Sequence, residues 1–405
     1  MEPPPTIPPG RAPLLDIARV SFKLGCTSFG GPIAHLAFFR EEYVRARHWV
    51  DEATYADLVA LCQFLPGPAS SQVGIGIGTL RAGPLGGLVS WIGFTAPSAI
   101  LMTAFALLLD RADIAGSGAV EGLKIAAVAI VAHAVWGMAR QFCTDALRIT
   151  LALLATVACL LLPHPALQVL AILIAGVLGW RLLSVPVPPP AAGAPLPAPV
   201  SRRAGLACLA LFLILLGMLP LLAAATREGM LDVADTFYRA GSLVFGGGHA
   251  VLPLLERDTV GGDWLSADRF LAGYGAVQAM PGPLFTFSAF LGADRTDGPN
   301  GVPGALLATI AIFLPSFLLV FATLPWWHAL RTNLRFRSAL AGVNAAVVGI
   351  LLAALITPVT TSAIGSVWDA LLALGAMAAL FLFRRPGWQV VFGTALIAQA
   401  ASSLA

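Results

Sequence analysis

The sequence predicts an all-α polytopic membrane protein with about 13 transmembrane helices in two inverted-topology repeats. Composition, a series of long apolar segments and an internal duplication favour this fold class. Of the 405 residues, 58% are hydrophobic and only 11% are charged, whereas a soluble domain carries about 25% charged residues. So few charges cannot cover a globule of this size, which excludes a soluble enzyme. Intrinsic disorder requires low hydrophobicity and is also excluded, and the net charge of +3 is too small to indicate nucleic acid as a partner.

Apolar segments follow one another along the whole chain, separated by short loops. A helix that spans a bilayer needs about 20 apolar residues. Segments that meet or approach this length lie at 14–39, 54–80, 84–109, 119–138, 149–162, 165–183, 204–225, 233–255, 267–292, 302–326, 338–356, 365–383 and 388–401. The segments 149–162 and 388–401 are short for a span and are also compatible with tilted pairs or part-way hairpins.

Two segments without a helical pattern divide the chain. Residues 1–13 are expected to be a disordered lead, since they lack the basic segment and apolar core of a signal peptide. Residues 185–203 contain VPVPPPAAGAPLPAPV, a Pro/Ala-rich linker of polyproline type. The predicted units are therefore an N-terminal repeat at 14–184, an extra helix at 204–231 and a C-terminal repeat at 232–405.

The two halves share five landmarks in one order. The pairs are Phe29-Gly30-Gly31 with Phe245-Gly246-Gly247, Trp49 with Trp264, Gln63 with Gln278, Pro66-Gly67-Pro68 with Pro281-Gly282-Pro283, and Pro97-Ser98 with Pro315-Ser316. Their offsets are 216, 215, 215, 215 and 218 residues. Landmarks in one order at nearly constant spacing indicate a duplication.

The number of spans predicts the orientation of the repeats. Six predicted spans precede the linker, and the seventh, at 204–225, has no counterpart in the repeat, so the second repeat is expected to be inverted. Thirteen arginines then lie on the N-terminal side of the membrane and six on the other. By the positive-inside rule the N-terminus is cytoplasmic and the C-terminus is outside. Inverted repeats are typical of secondary transporters, whose substrate site lies near the midplane where the repeats meet.

Cations within the apolar segments are candidates for substrate binding. A charged side chain at mid-bilayer costs at least about 2.5–3.5 kcal/mol and persists where it faces a partner or an aqueous pathway. Lys23 and Arg239 each lie six residues before the Phe of the Phe-Gly-Gly motif, so they are repeat equivalents. We interpret them, with Arg19 beside Lys23, as cations around a central anion site. Snorkelling of Arg19 to the headgroups and an Asp235–Arg239 ion pair are the alternatives.

A third cation, Lys124, lies one helical turn from Glu121, and Asn344 is its neutral counterpart at an offset of 220 residues. If Lys124 faces the centre, it is a third ligand for the anion. An ion pair with Glu121 at the membrane edge is the alternative.

The Pro-Gly-Pro motifs predict broken helices. Proline removes a backbone donor and restricts the residue before it, so each motif should divide its span, 54–80 or 267–292, into half-helices. The second half-helix begins with free N–H groups and a positive dipole end that suit an anion. Neutral donors beside the breaks are Ser70, Ser71 and Gln72 in the first half and Thr286 and Ser288 in the second, with Gln63 and Gln278 three residues before each motif. A kink for helix packing is the alternative.

Glycines and titratable residues near the Phe-Gly-Gly motifs complete the candidate set. The glycines, which either admit a neighbouring helix or unwind the backbone beside the substrate, are Gly30, Gly31, Gly246 and Gly247. The candidates for proton coupling are His35, Glu41, His249 and Glu256. Histidine titrates near neutral pH, but polar packing of the histidines and solvation of the glutamates are the alternatives.

Motifs of enzymes and metal sites are absent from the sequence. It contains no GxxxxGK[ST] phosphate loop, no HExxH and no GxSxG, so ATP hydrolysis is not expected. The five cysteines have no CxxC spacing, which argues against a zinc site or a disulfide framework. We therefore expect no cofactor and no metal, and transport energy from an ion gradient or the membrane potential.

The stretches around the landmarks are distinctive as sequences. They read FGGPIAH at 29–35, RHWVDEATYADL at 47–58, QFLPGP at 63–68, GPLGGLVSWIGFTAPS at 83–98, FGGGHAVLP at 245–253, WLSADRFL at 264–271, QAMPGP at 278–283 and GVPGALLATIAIFLPSFLLV at 301–320. These stretches resemble the chromate ion transporter family, in its two-domain long-chain type. The resemblance implies a bacterial inner-membrane protein in the lipid bilayer that exports chromate and confers resistance to it, with sulfate as a related oxyanion. A homodimer is one open arrangement.

The residues themselves favour a small anion, and only the resemblance selects chromate, because sulfate has the same charge and tetrahedral shape. For a dianion, an inside-negative potential of 100 mV favours exit by about 2 × 2.3 kcal/mol. A sulfate or other oxyanion importer is the first alternative. A membrane-embedded enzyme is the second, and the scattered cysteines supply no site for it.

Overall fold

The computed structural model describes residues 11–111, 116–162, 165–185, 199–226, 228–245 and 247–404. Every regular element within these ranges is helical, as predicted. Residues 1–10 of the predicted lead lie outside the described residues, and the described part of the first helix starts at Arg11. Most of the Pro/Ala-rich linker, together with Gly246, lies outside the described residues.

Seven helices make up the first half of the chain. They are α1 (Arg11–Thr27), α2 (Gly31–Phe39), α3 (Glu52–Phe64), α4 (Ala69–Arg111), α5 (Gly118–Phe142), α6 (Ala146–Leu161) and α7 (Pro165–Leu182). A π-helical segment, Arg40–Ala46, continues α2. The backbone of Ala82 and Gly83 is not helical, so α4 consists of a first arm at 69–81 and a second arm at 84–111.

One helix links the halves and ten make up the second. They are α8 (Arg202–Thr226), then α9 (Gly229–Leu243), α10 (Leu252–Thr259), α11 (Ala267–Ala279), α12 (Phe287–Ala293), α13 (Gly301–Thr323), α14 (Trp327–Thr332), α15 (Leu334–Ala354), α16 (Thr361–Ala363), α17 (Val367–Phe381) and α18 (Gly387–Leu404). Short 3₁₀ turns, Gly248–Val251 and Leu284–Thr286, precede α10 and α12.

The helices are those of a multi-pass membrane protein. Five of the described helices are long and apolar enough to cross a bilayer, namely Ala69–Leu109, Gly118–Phe142, Arg202–Thr226, Gly301–Trp326 and Leu334–Ala363. The first of these contains the break at Ala82 and Gly83, so its second arm supplies the crossing. Helix α8 exposes Leu213, Ile214 and Leu221, and a continuous apolar face of this kind requires a lipid environment.

Each Pro-Gly-Pro motif folds its helix back on itself. As predicted, α3 ends at Phe64 and α4 begins at Ala69. A Cβ atom on Gly76 would nevertheless lie only 2.7 Å from Leu58 Cδ1, although these two residues would be about 27 Å apart in one straight helix. In the second half, a Cβ atom on Gly273 of α11 would overlap the Phe290 ring of α12. We call these pairs the first and second Pro-Gly-Pro hairpins.

The Phe-Gly-Gly motifs make a second kind of hairpin. Gly30 and Gly31 have φ angles of 98° and 78°, which turn the chain between α1 and α2. Lys23 Nζ then lies 2.6 Å from Glu42 Oε2, whereas one helix would separate these residues by about 28 Å. The α9 and α10 helices are paired in the same way. We call these pairs the first and second Gly-Gly hairpins.

The hairpins correct the predicted chain path. Four of the thirteen predicted spans, 14–39, 54–80, 233–255 and 267–292, turn back at a glycine with positive φ or at the Gly-Gly motif instead of continuing in one direction. Apolar length alone does not distinguish a helix that crosses the membrane from two half-helices that enter and leave on the same side.

The two halves interlock through reciprocal contacts. Gly67 donates its N–H to the carbonyl of Val244 at 2.7 Å, and Gly282 donates its N–H to the carbonyl of Ser28 at 2.9 Å. Gly282 and Val244 are the repeat equivalents of Gly67 and Ser28. The tip of each Pro-Gly-Pro hairpin therefore binds the Gly-Gly hairpin of the other half. Reciprocity of this kind is the mark of a two-fold relation.

The outer helices of each half also pack against helices of the other half in a reciprocal way. Helix α5 packs against α18, where a Cβ on Gly122 would lie 2.6 Å from Thr394 O. Helix α15 packs against α7, where a Cβ on Gly342 would overlap Ala175 O. Small residues allow such close helix packing in membranes. The halves therefore form one interleaved body around the hairpins.

Candidate functional site at the hairpin tips

The tip glycines lie in confined polar surroundings. Gly67 has a φ angle of 110°, and a Cβ atom there would lie 2.8 Å from Ser316 Oγ and 2.9 Å from Gln72 Nε2. Gly282 has a φ angle of 92°, and its Cβ would lie 2.8 Å from Ser98 Oγ. Ser98 and Ser316 are themselves repeat equivalents. Each tip therefore meets a serine of the opposite half at a distance that only glycine permits.

Side-chain hydrogen bonds hold the tips in place. Gln72 Nε2 donates to the carbonyl of Pro66 at 2.6 Å and to Ser316 Oγ at 3.4 Å. Thr286 Oγ1 donates to the carbonyl of Pro283 at 2.8 Å. The predicted donors Gln72 and Thr286 therefore support the turns, and Gln72 also joins the two halves.

The two histidines are close to the hairpins. His35 Nδ1 lies 3.2 Å from Ser70 Oγ, and the His35 residue is 1% exposed. The tautomer of the neutral ring decides which nitrogen donates, and Nε2 has no hydrogen-bond partner by distance and angle among the described residues. His249 Nδ1 lies 2.8 Å from Tyr274 Oη on α11. The polar packing alternative for both histidines agrees with these contacts.

Several buried polar atoms near the tips have no hydrogen-bond partner among the described residues. They are Ser28 Oγ, His35 Nε2, Ser71 Oγ, Thr95 Oγ1, Gln278 Nε2 and Ser288 Oγ. Ser28 and His35 belong to the first Gly-Gly hairpin, and Thr95 lies one turn from Ser98. Buried polar groups are nearly always hydrogen-bonded, so a concentration of unpaired donors indicates a place where a polar ligand binds. We call this set the tip donors.

The predicted membrane cations are neutralised by carboxylates. Lys23 pairs with Glu42, as described above. Arg239 Nη2 lies 2.8 Å from Asp235 Oδ2 and 3.4 Å from Asp258 Oδ2. The Asp235–Arg239 ion pair of the alternative is therefore present, and a role of Arg239 in anion binding stays a prediction. The counter-charges Glu42 and Asp258 were not predicted, because each lies on the returning helix of a hairpin that the sequence pattern did not reveal.

Lys124 also forms ion pairs with carboxylates. Its Nζ lies 2.6 Å from Glu121 Oε2 and 2.8 Å from Asp268 Oδ1. The predicted Glu121 pair is confirmed, and Asp268 extends it to the start of α11. This ion cluster ties α5 of the first half to the second Pro-Gly-Pro hairpin.

The remaining predicted residues lie in other surroundings. Arg19 and Gln63 are exposed, and Glu41 forms an exposed pair with Arg45. Glu256 and Asn344 are half-buried within α10 and α15. Ser98 and Ser316, which meet the tips, were recognised only as repeat landmarks; their equal positions after the paired prolines were the signal that could have indicated a role.

A comparison with family models identifies the chain. The chromate transporter model matches residues 15–180 and again residues 231–399. The chain belongs to the chromate transporter family. The double match also confirms the duplication, because one model fits each half.

Curated relatives of this transporter family member cover most of its length. A chromate transport protein of Pseudomonas aeruginosa is 28% identical over 335 residues, which is 81% of this chain and 77% of the relative. A chromate transport protein of Cupriavidus metallidurans is 27% identical over 401 residues, covering 96% and 94%. A probable chromate transport protein of Synechococcus elongatus is 28% identical over 349 residues, covering 85% and 84%. No solved structure matches this chain.

Proposed function

We propose that this protein exports chromate across the bacterial inner membrane and thereby confers resistance to it. Family membership and the names of the relatives support chromate as the substrate. The observation that carries the proposed site is the set of tip donors around two interlocked hairpins. Hydroxyl, amide and imidazole N–H groups donate to oxyanions, and a hydrogen bond to a charged group contributes about 1.5–3 kcal/mol. Several such bonds can hold a tetrahedral dianion.

Neutral donors suit a transported dianion. A buried cation without a counter-charge would hold chromate tightly and slow its release, whereas hydroxyls and helix N-termini bind an anion with less retention. Lys23 and Arg239 already have carboxylate partners. In the proposal they place charged N–H donors beside the path, and Ser71, Ser288 and His35 contact the dianion.

Alternating access follows from the hairpin arrangement. We propose that the four hairpins move against the outer helices and that the Gly67–Val244 and Gly282–Ser28 hydrogen bonds exchange as the site opens to each side. In this path each repeat crosses the membrane four times, and α8 crosses it once between the repeats. The second repeat is therefore inverted relative to the first. Nine crossings and four half-depth hairpins replace thirteen full spans.

The arginine distribution supports this path. The N-terminal side then carries Arg11, Arg40, Arg45, Arg47, Arg81, Arg140, Arg148, Arg181, Arg202, Arg203, Arg331, Arg335, Arg337, Arg384 and Arg385. The other side carries Arg111, Arg227, Arg257, Arg269 and Arg295. The arginines are distributed more unequally between the two sides in this path than in the path with thirteen spans. The distribution favours a cytoplasmic N-terminus and an outside C-terminus.

Labelling of a cysteine at position 45 distinguishes the hairpin path from the path with thirteen full spans. In a variant without native cysteines, Arg45→Cys is expected to react with a membrane-impermeant maleimide from the cytoplasmic face, because the first Gly-Gly hairpin returns the chain to that side. The side chain of Arg45 is 58% exposed, so the new thiol is accessible. A cysteine at Ala405 should react from the outside. Labelling of both positions from the same face would contradict the hairpin path.

Transport in inverted membrane vesicles tests the function. Everted vesicles that contain the protein are expected to accumulate chromate when the vesicle interior is positive, since that potential favours movement of a dianion inwards. Ser71→Ala and Ser288→Ala should each raise the KM several-fold without loss of protein, and Ser90→Ala, a buried serine that bonds Ser21 Oγ at 3.1 Å, is the matched control. Accumulation of sulfate in place of chromate would indicate that the exported substrate is another oxyanion, and release of preloaded sulfate from the lumen would favour the importer alternative.

A further inference from the structure

A groove outside the tip region opens between the ends of α5 and α17. Its volume is about 730 Å³, and its lining includes His133, Trp136 and Arg140 from α5 together with Arg384 and Arg385 after α17. This volume lies within the range of small-ligand sites. The tip donors do not line it, so the groove is a separate feature.

The groove is strongly basic. Three arginines line it, and its lining contains no Asp or Glu. Within the described part of the chain, none of Arg140, Arg384 and Arg385 forms an ion pair, whereas Lys23, Lys124 and Arg239 inside the hairpin region all do. Each guanidinium presents five N–H donors in a planar fork that matches the oxygens of a tetrahedral oxyanion. Uncompensated arginines from two helices therefore point to an anionic ligand.

The turn after α17 places two of these arginines. Arg384 has a φ angle of 50°, a left-handed conformation that glycine adopts at lower cost. Arg385 donates its N–H to the carbonyl of Ala379 at 2.9 Å, which closes the helix end. The usual residue at such a helix end is glycine. An arginine held in this conformation suggests that its side chain has a function in the groove.

The inner end of the groove leads towards the hairpins. The His133 ring packs edge-on against Phe381, with ring centroids 5.1 Å apart. Leu380, which also lines the groove, lies in one buried apolar cluster with Ala279 of the second Pro-Gly-Pro hairpin. The inner end of the groove is therefore next to the hairpin region.

We infer that this groove is a second oxyanion site, which captures the substrate dianion on the cytoplasmic face before it reaches the tip donors. The inference rests on the proposed transport function and extends it by an arginine site at the cytoplasmic end of the path. A cleft of one charge sign concentrates its counter-ion and accelerates association in a salt-dependent way. The phosphate of an anionic lipid headgroup has the same chemistry, and the binding experiment distinguishes the two sources.

Equilibrium binding tests the site without requiring transport. Purified protein in detergent is dialysed against labelled sulfate, or separately against a labelled short-chain phosphatidylglycerol. The triple variant Arg140→Gln, Arg384→Gln, Arg385→Gln is expected to lose one bound sulfate per protein relative to the wild type. Loss of lipid binding alone would assign the headgroup as the ligand in place of the free dianion. Unchanged binding of both would overturn the site and leave these arginines as orientation signals.

Transport kinetics give a second readout. In inverted vesicles the triple variant is expected to raise the KM for chromate about tenfold at low ionic strength, with kcat unchanged, and to lose the salt dependence of KM. The matched control is Arg181→Gln, Arg202→Gln, Arg203→Gln, which removes the same charge from the same side outside the groove and should keep the wild-type KM. An equal rise in both variants would contradict a local site. The variant could lose sulfate binding while the wild type transports no chromate. That result would refute the proposed function and leave the groove site supported.

Discussion

Replacement of either tip glycine by alanine is expected to abolish transport. At Gly67 the new methyl group would lie 2.8 Å from Ser316 Oγ, and at Gly282 it would lie 2.8 Å from Ser98 Oγ. Such contacts displace the tip from the opposite half, and a positive φ angle costs an L-residue about 1–2 kcal/mol more. The substitution at Gly67 would then break the Gly67–Val244 bond, and the substitution at Gly282 would break the Gly282–Ser28 bond. We expect initial rates in vesicles to fall by at least about tenfold, equivalent to about 1.4 kcal/mol.

Gly83 provides the matched control for backbone strain. It has a φ angle of 68°, yet no atom lies within 4 Å of a Cβ at that position. Gly83→Ala therefore places an alanine at a positive φ angle without a steric overlap. The position lies at the turn between the two arms of α4. The substitution should reduce stability modestly and keep most of the transport rate. Equal losses at Gly67 and Gly83 would show that strain, and not the contact between the halves, limits transport.

Removal of Arg239 is expected to destabilise the protein far more than removal of its repeat equivalent, Lys23. The carboxylates of Asp235 and Asp258 are 9% and 14% exposed, and a buried ion pair that loses one partner costs about 3–5 kcal/mol. Lys23 is 60% exposed, and its partner Glu42 retains Arg47 at 2.9 Å. Thermal unfolding in detergent should therefore show a large decrease for Arg239→Gln and a small one for Lys23→Gln.

A double variant separates stability from transport at Arg239. In Arg239→Gln with Asp235→Asn, the less exposed carboxylate is neutralised, and Asp258 keeps its contact with Arg257 Nη2 at 2.6 Å. The melting temperature is expected to return close to the wild-type value. Chromate transport should remain low, because the double variant still lacks the Arg239 guanidinium that the proposal places beside the path. Recovery of transport in the double variant would show that Arg239 has only a structural role.

The helix breaks were predictable from local sequence. Proline and glycine restrict the backbone wherever they occur, and α3, α4 and α11 end or begin beside the Pro-Gly-Pro motifs as predicted. The direction of the chain after the break was not predictable. That direction depends on whether Leu58 of α3 packs against Gly76 of α4. The shapes of both half-helices determine this contact.

The candidate site was predicted in part. Gln72, Ser71 and Ser288 were expected to be donors beside the tips, and their buried positions agree with that expectation. The cations were recognised as unusual, but their carboxylate partners could not be assigned, because Glu42 and Asp258 lie on returning helices. A charge pattern along one helix cannot reveal a partner on another helix whose direction is unknown.

The sequence by itself determined the membrane environment, the duplication and the positions where helices break, because these depend on composition, repeated landmarks and the covalent limits of proline and glycine. Only the tertiary structure decided that each tip enters the opposite half. It also decided that each membrane cation has a carboxylate neighbour, and that Arg140 meets Arg384 and Arg385 in one groove. These features depend on which distant groups come into contact, and such contacts are set by the packing of whole helices.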